Sequence, residues 1–178
     1  MKRLEKGVVW ITGLSASGKT TLSKLLYLNI KQRGFNNVIL LDGENIRQNC
    51  DIDYGYTVEG RIESSLADIE MVKLNIKNNL FTIIATISPN KKIRATAKEQ
   101  LQNFSEVYLE CPVEECAHRD YKDHYRKAFL GELVDFVGVD QEYQLSDNPD
   151  LVINTKNNNI ESCSELLLSF VMKKYISD

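Results

Sequence analysis

The chain has 178 residues, of which 43% are apolar and 26% charged, with a formal net charge of −3. That composition fits one globular domain able to bury roughly two thirds of its unfolded surface, and with no large basic patch in the sequence it argues against duplex nucleic acid as a partner. No apolar run has the length of a membrane span. The N-terminal MKRLEKGVVWITG lacks the long apolar region and cleavage site of a signal peptide, so a cytoplasmic protein with no membrane partner is expected.

In chain order, Val8 to Thr12 is predicted as a buried strand and Gly18 to Arg33 as a helix, with Leu22, Leu25, Leu26 and Ile30 on one face. Gly34 stops that helix, and Val38 to Leu41 forms a second strand ending at Asp42. Asn45 to Cys50 begins a short helical turn, and Asp51 to Tyr56 is a polar loop. A long helix follows from Val58 to Asn78, then a third strand from Phe81 to Ile87, closed by Ser88 and Pro89. Ile93 to Asn103 is a helix, Ser105 to Glu110 a fourth strand, and Val113 to Arg119 a helical turn. Asp120 to Asp147 is polar with scattered apolar residues and no clear strand. Leu151 to Ile153 is a fifth strand, Lys156 to Asn159 a polar turn, and Ile160 to Ile176 a closing helix.

Strands alternating with helices predict an α/β fold, with a parallel sheet covered on both faces. The strands are short continuous apolar runs, as burial on both faces requires. The cysteines Cys50, Cys111, Cys116 and Cys163 form no C-x-x-C pair, and His118 and His124 are the only histidines. That pattern argues against zinc and for idle buried thiols.

The stretch GLSASGKTT carries the chemistry. Gly13-x-x-x-x-Gly18-Lys19-Thr20, between a strand and a helix, is a complete P-loop pattern. Phosphate oxygens need several backbone N–H groups aimed at one point, which glycines permit and a helix start reinforces. Gly13, Ser15, Ala16, Ser17, Gly18, Lys19, Thr20 and Thr21 are therefore candidate ATP-binding residues. Lys19 would bridge the β- and γ-phosphates, and the Thr20 hydroxyl would ligate Mg²⁺. No N-K-x-D stretch follows a later strand, which speaks against a guanine-reading switch protein. Transfer of the γ-phosphoryl to a small molecule is the expected use.

LLDGENIR at residues 40–47, taken with the glycine loop, resembles the adenylylsulfate kinase family, which has a D-G-[DE]-N-[IV]-R stretch after its second strand. The likeness continues through ISP at Ile87 to Pro89, FSEVYLECPVEEC, RDYKDHYRKAFLGE, FVGVDQEYQ and NPDLVINT, in order and over nearly the whole chain. The resemblance implies a P-loop kinase with a central five-stranded parallel sheet, in a single domain spanning 1–178 with a lid at about 120–147. It implies transfer of the γ-phosphoryl of Mg·ATP to the ribose 3′-hydroxyl of adenylyl sulfate. Asp42 is then the candidate general base or orienter, with Lys19 as its catalytic partner. The alternative for Asp42 is a turn-former before Gly43.

Arg47, Tyr56, Arg61, Ser64, Ser88, Lys127 and Phe136 become candidate acceptor-binding residues, and Arg119 a contact to the donor adenine. Each has a plainer reading: a solvated arginine at 47, a loop aromatic at 56, a turn cap at 88, a solvated basic helix at Arg126 and Lys127, or an ion pair of Arg119 with Asp120. Members of the family are commonly dimers, which leaves a homodimer open.

Departures from the family pattern gather on the acceptor side. D-R-x-E-N-I-R-R reads here as Gly60, Arg61, Ile62, Glu63, Ser64, Ser65, Leu66 and Ala67. The tyrosine after ISP is Asn90, and K-G-F-T-G reads Val134, Asp135, Phe136, Val137 and Gly138. Lost contacts to an anion would weaken a sulfate-bearing acceptor. An offshoot of the family that phosphorylates cytidine diphosphoramidate in capsule biosynthesis is therefore an alternative. A non-catalytic nucleotide-binding protein is a second.

Overall fold

The computed structural model of the chain describes residues 2–43, 46 and 54–176. The strands are β1 (Gly7–Thr12), β2 (Val38–Asp42), β3 (Phe81–Ala85), β4 (Phe104–Glu110) and β5 (Leu151–Asn154). The helices are α1 (Lys19–Gln32), α2 (Val58–Lys77), α3 (Lys91–Gln100), α4 (Val113–Arg119), α5 (His124–Phe129) and α6 (Ile160–Tyr175). The strands form one all-parallel sheet in the order β2-β3-β1-β4-β5. The five-stranded α/β architecture expected from the sequence is thus present.

Every residue of β1 is buried, because the sheet carries helices on both faces. Val9 and Ile11 point to a core closed by Leu22, Leu26 and Ile30 of α1 and by Leu167 and Val171 of α6. Val8 and Trp10 point the other way, into a core closed by Ile69, Val72 and Ile76 of α2 and Ala97 of α3. Each such aliphatic side chain stabilises the fold by about 1.5–3 kcal/mol. A third, smaller cluster holds Leu14, Cys111, Cys116, Tyr125, Ala128, Phe136 and Val137. It joins the loop after β1 to the segment after β4, at the carboxyl ends of the strands. α1 leaves β1 on one face while α3 follows the neighbouring β3 on the other, and such a divergence opens a crevice for ligands.

Several boundaries differ from the sequence expectation. α3 begins at Lys91, because the Asn90 side chain accepts from the amides of Lys92 at 2.9 Å and Ile93 at 3.3 Å. It ends at Gln100, since Leu101 is extended and Asn103 takes φ 49°. β3 stops at Ala85, short of the expected Ile87. Within 120–147 the chain forms α5, launched by the Asp120 carboxylate, which accepts from the amides of Lys122 at 3.1 Å and Tyr125 at 2.8 Å. All but Ile46 of the expected helical turn from Asn45 to Cys50, and the first half of the loop from Asp51 to Tyr56, lie outside the described residues. Among the described residues no helix is long and apolar enough to cross a membrane.

Candidate active site

The glycine loop turns through Ala16 at φ 58° and Gly18 at φ 101° into α1. At Gly13 a side chain is excluded, since a Cβ would stand 2.8 Å from the Leu109 carbonyl on β4. The loop is held from the protein side. Tyr125 donates to the Ser15 carbonyl at 3.1 Å, and Thr155 donates to the Ser17 carbonyl at 3.0 Å. In a trans peptide this leaves the N–H groups of Ala16 and Gly18 on the opposite side. The start of α1 has no side-chain cap, so its first amides are open to an anion. The Ser17 hydroxyl is buried with no hydrogen-bond partner.

Lys19 completes the concavity. Its ammonium donates to the Leu14 carbonyl at 2.5 Å. Burial pushes its pKa from 10.5 down to about 8, against the opposing pull of Cys116, Asp42 and Cys111. A desolvated cation beside uncapped amides and an orphaned hydroxyl fits a polyphosphate. Asp42, buried at the carboxyl end of β2, lies within electrostatic reach of that ammonium. Thr20 sits half-buried in the first turn of α1, and Thr21 is exposed. Among the described residues no three His, Cys, Asp or Glu side chains are grouped to hold a metal ion. A cation here would therefore rest on the Thr20 hydroxyl and on the phosphates themselves.

The other wall of the crevice comes from α2, the turn after β3 and the segment after α5. Arg61 is 4% exposed. Its Nε donates to the Tyr56 carbonyl at 3.0 Å and its Nη2 to the Asp135 carbonyl at 3.2 Å, with the guanidinium 5.5 Å from the Tyr56 ring centre. Arg61 thus ties Tyr56 to the turn that carries Phe136. That turn is set by Asp140, whose carboxylate accepts from the amides of Asp135 at 2.8 Å and Phe136 at 2.5 Å. Phe136 is buried, its ring edge-on to Tyr125 at 4.9 Å. Ser88 is buried at φ 42°, its hydroxyl 3.3 Å from that of Ser65, while the neighbouring Ser64 is half-buried. Arg47 lies outside the described residues.

Arg119 does not pair with Asp120. Its Nε donates to Glu115 at 2.8 Å and its Nη2 to the Thr155 carbonyl at 2.9 Å. Thr155 in turn touches the glycine loop, so Arg119 stands beside the donor side. Lys127 and Arg126 are exposed on α5, and Arg126 pairs with Asp123 at 2.5 Å.

Sequence reasoning missed Arg94, Glu106 and Tyr143. Arg94 is fully buried and pairs with Glu106 at 2.9 Å. The signal was present: a glutamate inside the apolar strand FSEVYLE calls for a buried cation.

The departures on the acceptor side have local structural causes. At Gly60 a Cβ would stand 1.7 Å from the Tyr54 carbonyl, so this backbone admits no aspartate there. Leu66 and Val134 are 42% and 64% exposed, so arginine and lysine are absent from surface positions rather than from a buried anion site. Asn90 caps α3. These findings weaken the argument from positions 60, 66, 90 and 134 for a different acceptor.

The family model for adenylylsulphate kinase matches residues 5–154. The adenylyl-sulfate kinase of Clostridium kluyveri is 39% identical over 168 residues, covering 94% of this chain and 84% of its own. That of Halothermothrix orenii is 38% identical over 173 residues, covering 97% of this chain and 93% of its own. The structure of the Mycobacterium tuberculosis APS kinase in complex with AMPPNP and APS is similar with a TM-score of 0.83 at 30% identity, covering 92% of this chain and 96% of that one. The cytidine and capsule reading is not favoured beside these relatives, and a non-catalytic role is set aside. Similarity that runs almost end to end, over a sheet and phosphate loop of this form, means that the chain belongs to the adenylylsulphate kinase family of phosphotransferases with an alcohol acceptor.

Proposed function

We propose that this chain transfers the γ-phosphoryl of ATP to the ribose 3′-hydroxyl of adenylyl sulfate. One observation supports the reading: the Asp42 carboxylate, buried at the carboxyl end of β2, acts electrostatically on the desolvated Lys19 ammonium of the glycine loop. The mycobacterial relative bound to AMPPNP and APS supports the choice of both substrates.

In this reading the amides of the glycine loop and Lys19 grip the β- and γ-phosphates, and the Arg119 guanidinium flanks the donor base. Mg²⁺, held by Thr20, would neutralise charge on the phosphates. Asp42 orients the acceptor hydroxyl and takes its proton as the bond to phosphorus forms. Tyr56, Arg61, Ser64 and Ser88 form the acceptor wall, and Arg47 is assigned to the acceptor phosphates from the sequence pattern alone. Residues 120–147 act as a lid of a single kinase domain. Phe136 closes on the acceptor, and Lys127 and Arg126 bring positive charge over the phosphates. Excluding water then favours the sugar alcohol over hydrolysis.

The test is incubation of the purified chain with Mg·ATP and adenylyl sulfate, with products resolved by mass spectrometry and phosphorus NMR. Equimolar ADP and 3′-phosphoadenylyl sulfate is the expected result. ADP without a phosphorylated nucleotide, or phosphorylation at another hydroxyl, overturns the reading.

A further inference from the structure

Arg94 is wholly buried on α3, and its guanidinium is shared among parts of the chain that lie far apart in sequence. Nε donates to Glu106 of β4 at 2.9 Å, and Nη1 donates to the Ser88 carbonyl at 2.6 Å. Nη2 donates to the Gln144 carbonyl and, at 3.0 Å, to the Ser146 hydroxyl. The Ser146 hydroxyl in turn donates a hydrogen bond to Glu106 at 2.6 Å.

Beneath this network lies Tyr143, its ring centre 5.1 Å from the guanidinium. The Thr12 hydroxyl donates to the Ile87 carbonyl at 2.6 Å, so the 2.7 Å contact between Tyr143 and Thr12 is donated by the tyrosine. Burial raises the Tyr143 pKa and keeps that proton in place. The amide of Gln144 donates to the Pro89 carbonyl at 3.0 Å, and its side chain accepts from the Lys91 amide at 3.2 Å. Residues 143–146 are thus sewn onto the Ser88–Pro89 turn, with Arg94 as the knot.

A buried ion pair is a weak source of stability, since well-packed apolar residues of similar volume often serve as well. What Arg94 supplies is position. It holds the carbonyl of Ser88, a non-glycine residue at φ 42°, and it anchors the chain where it returns from the Phe136 turn. We propose that Arg94 is a positioning residue for the acceptor, an inference that rests on the function proposed above. It fixes Ser88 and the returning segment at residues 143–146 together. It thereby sets how tightly the acceptor is held and how much phosphoryl goes to the acceptor rather than to water, and it leaves ATP binding alone.

The experiment compares Arg94→Lys and Ser146→Ala with the wild type. KM is measured separately for ATP and for adenylyl sulfate, together with the ratio of ADP to phosphorylated nucleotide and the melting temperature. Arg94→Lys is expected to raise the acceptor KM by about 10- to 100-fold, with the ATP KM within about threefold and the ADP ratio above unity. Ser146→Ala removes the hydroxyl's three hydrogen bonds, two from Arg94 and one to Glu106, without burying a new charge, and it is expected to shift the same quantities in the same direction by less. It carries the test if Arg94→Lys does not fold. Equal changes in both KM values, or a lowered melting temperature with both KM values unchanged, overturns the inference and leaves the function standing. A wild type inactive on adenylyl sulfate overturns both.

Discussion

The glycine loop and the strap at residues 143–146 meet at the same end of the sheet, yet they are secured in opposite ways. The loop is fixed by its own backbone. Its turn follows from Ala16 and Gly18, and donors from Tyr125 and Thr155 reach only its carbonyls. The strap is fixed by side chains, above all by the Arg94 guanidinium and the Glu106 carboxylate. A site held by main-chain geometry tolerates many changes around it and few within it. A site held by one charged side chain can be loosened selectively, without touching the phosphates.

The sharpest way to break this contrast is inside the loop's own crevice. Lys19→Ala or Asp42→Ala is expected to lower turnover by about 10³-fold or more in a steady-state assay, with the fold retained by circular dichroism. Comparable loss from a substitution in the strap would show that the two regions are not separable.

Titration sharpens the same point. The Lys19 ammonium is held near pKa 8 in the free protein, below its ordinary 10.5, because it is desolvated. Between those values the folded free chain carries fewer protons than the unfolded one, so this group's contribution to stability rises with pH across that window. Phosphate favours the charged lysine, and nucleotide binding therefore takes up a proton above about pH 8. ATP affinity measured by calorimetry is expected to fall by up to about tenfold per pH unit from pH 8 upward. The acceptor KM, set by Arg94 and Ser88, has no such slope from this source.

A smaller effect is expected at Gly60. Gly60→Asp drives a side chain into the Tyr54 carbonyl, and denaturant unfolding should show about 1–3 kcal/mol of lost stability. The smallest is at Leu66. Leu66→Arg restores the family's residue at an exposed position and should change stability by less than about 0.5 kcal/mol, with the acceptor KM unmoved. A large gain in acceptor affinity from Leu66→Arg would reinstate the acceptor-side departures as functional.

What could be read from the sequence follows the same division. The β1 strand, the glycine loop and α1 were legible because their determinants are local: a continuous apolar run, fixed glycine spacing and a stripe at helical period. Asp42 was legible as a carboxylate at a strand end. The strap was not, because Arg94 and Glu106 are 12 positions apart while Arg94 and Gln144 are 50 apart; the glutamate inside an apolar strand signals a buried cation but not which one. The start of α3 was misplaced by two residues because Asn90 looked like a departure and is in fact its cap. The inference from Leu66 and Val134 failed for a related reason. A lost charge has one meaning in a buried anion site and another on the surface, and only the fold tells them apart.

The hydrogen bond from Thr155 to the Ser17 carbonyl spans 138 positions of chain. During synthesis the glycine-rich segment leaves the ribosome early, and its brace arrives only after the final strand. The nascent protein therefore forms the loop's turn from local geometry and gains this brace only once β5 is complete. A ligand that grips the finished loop stabilises the folded chain by mass action.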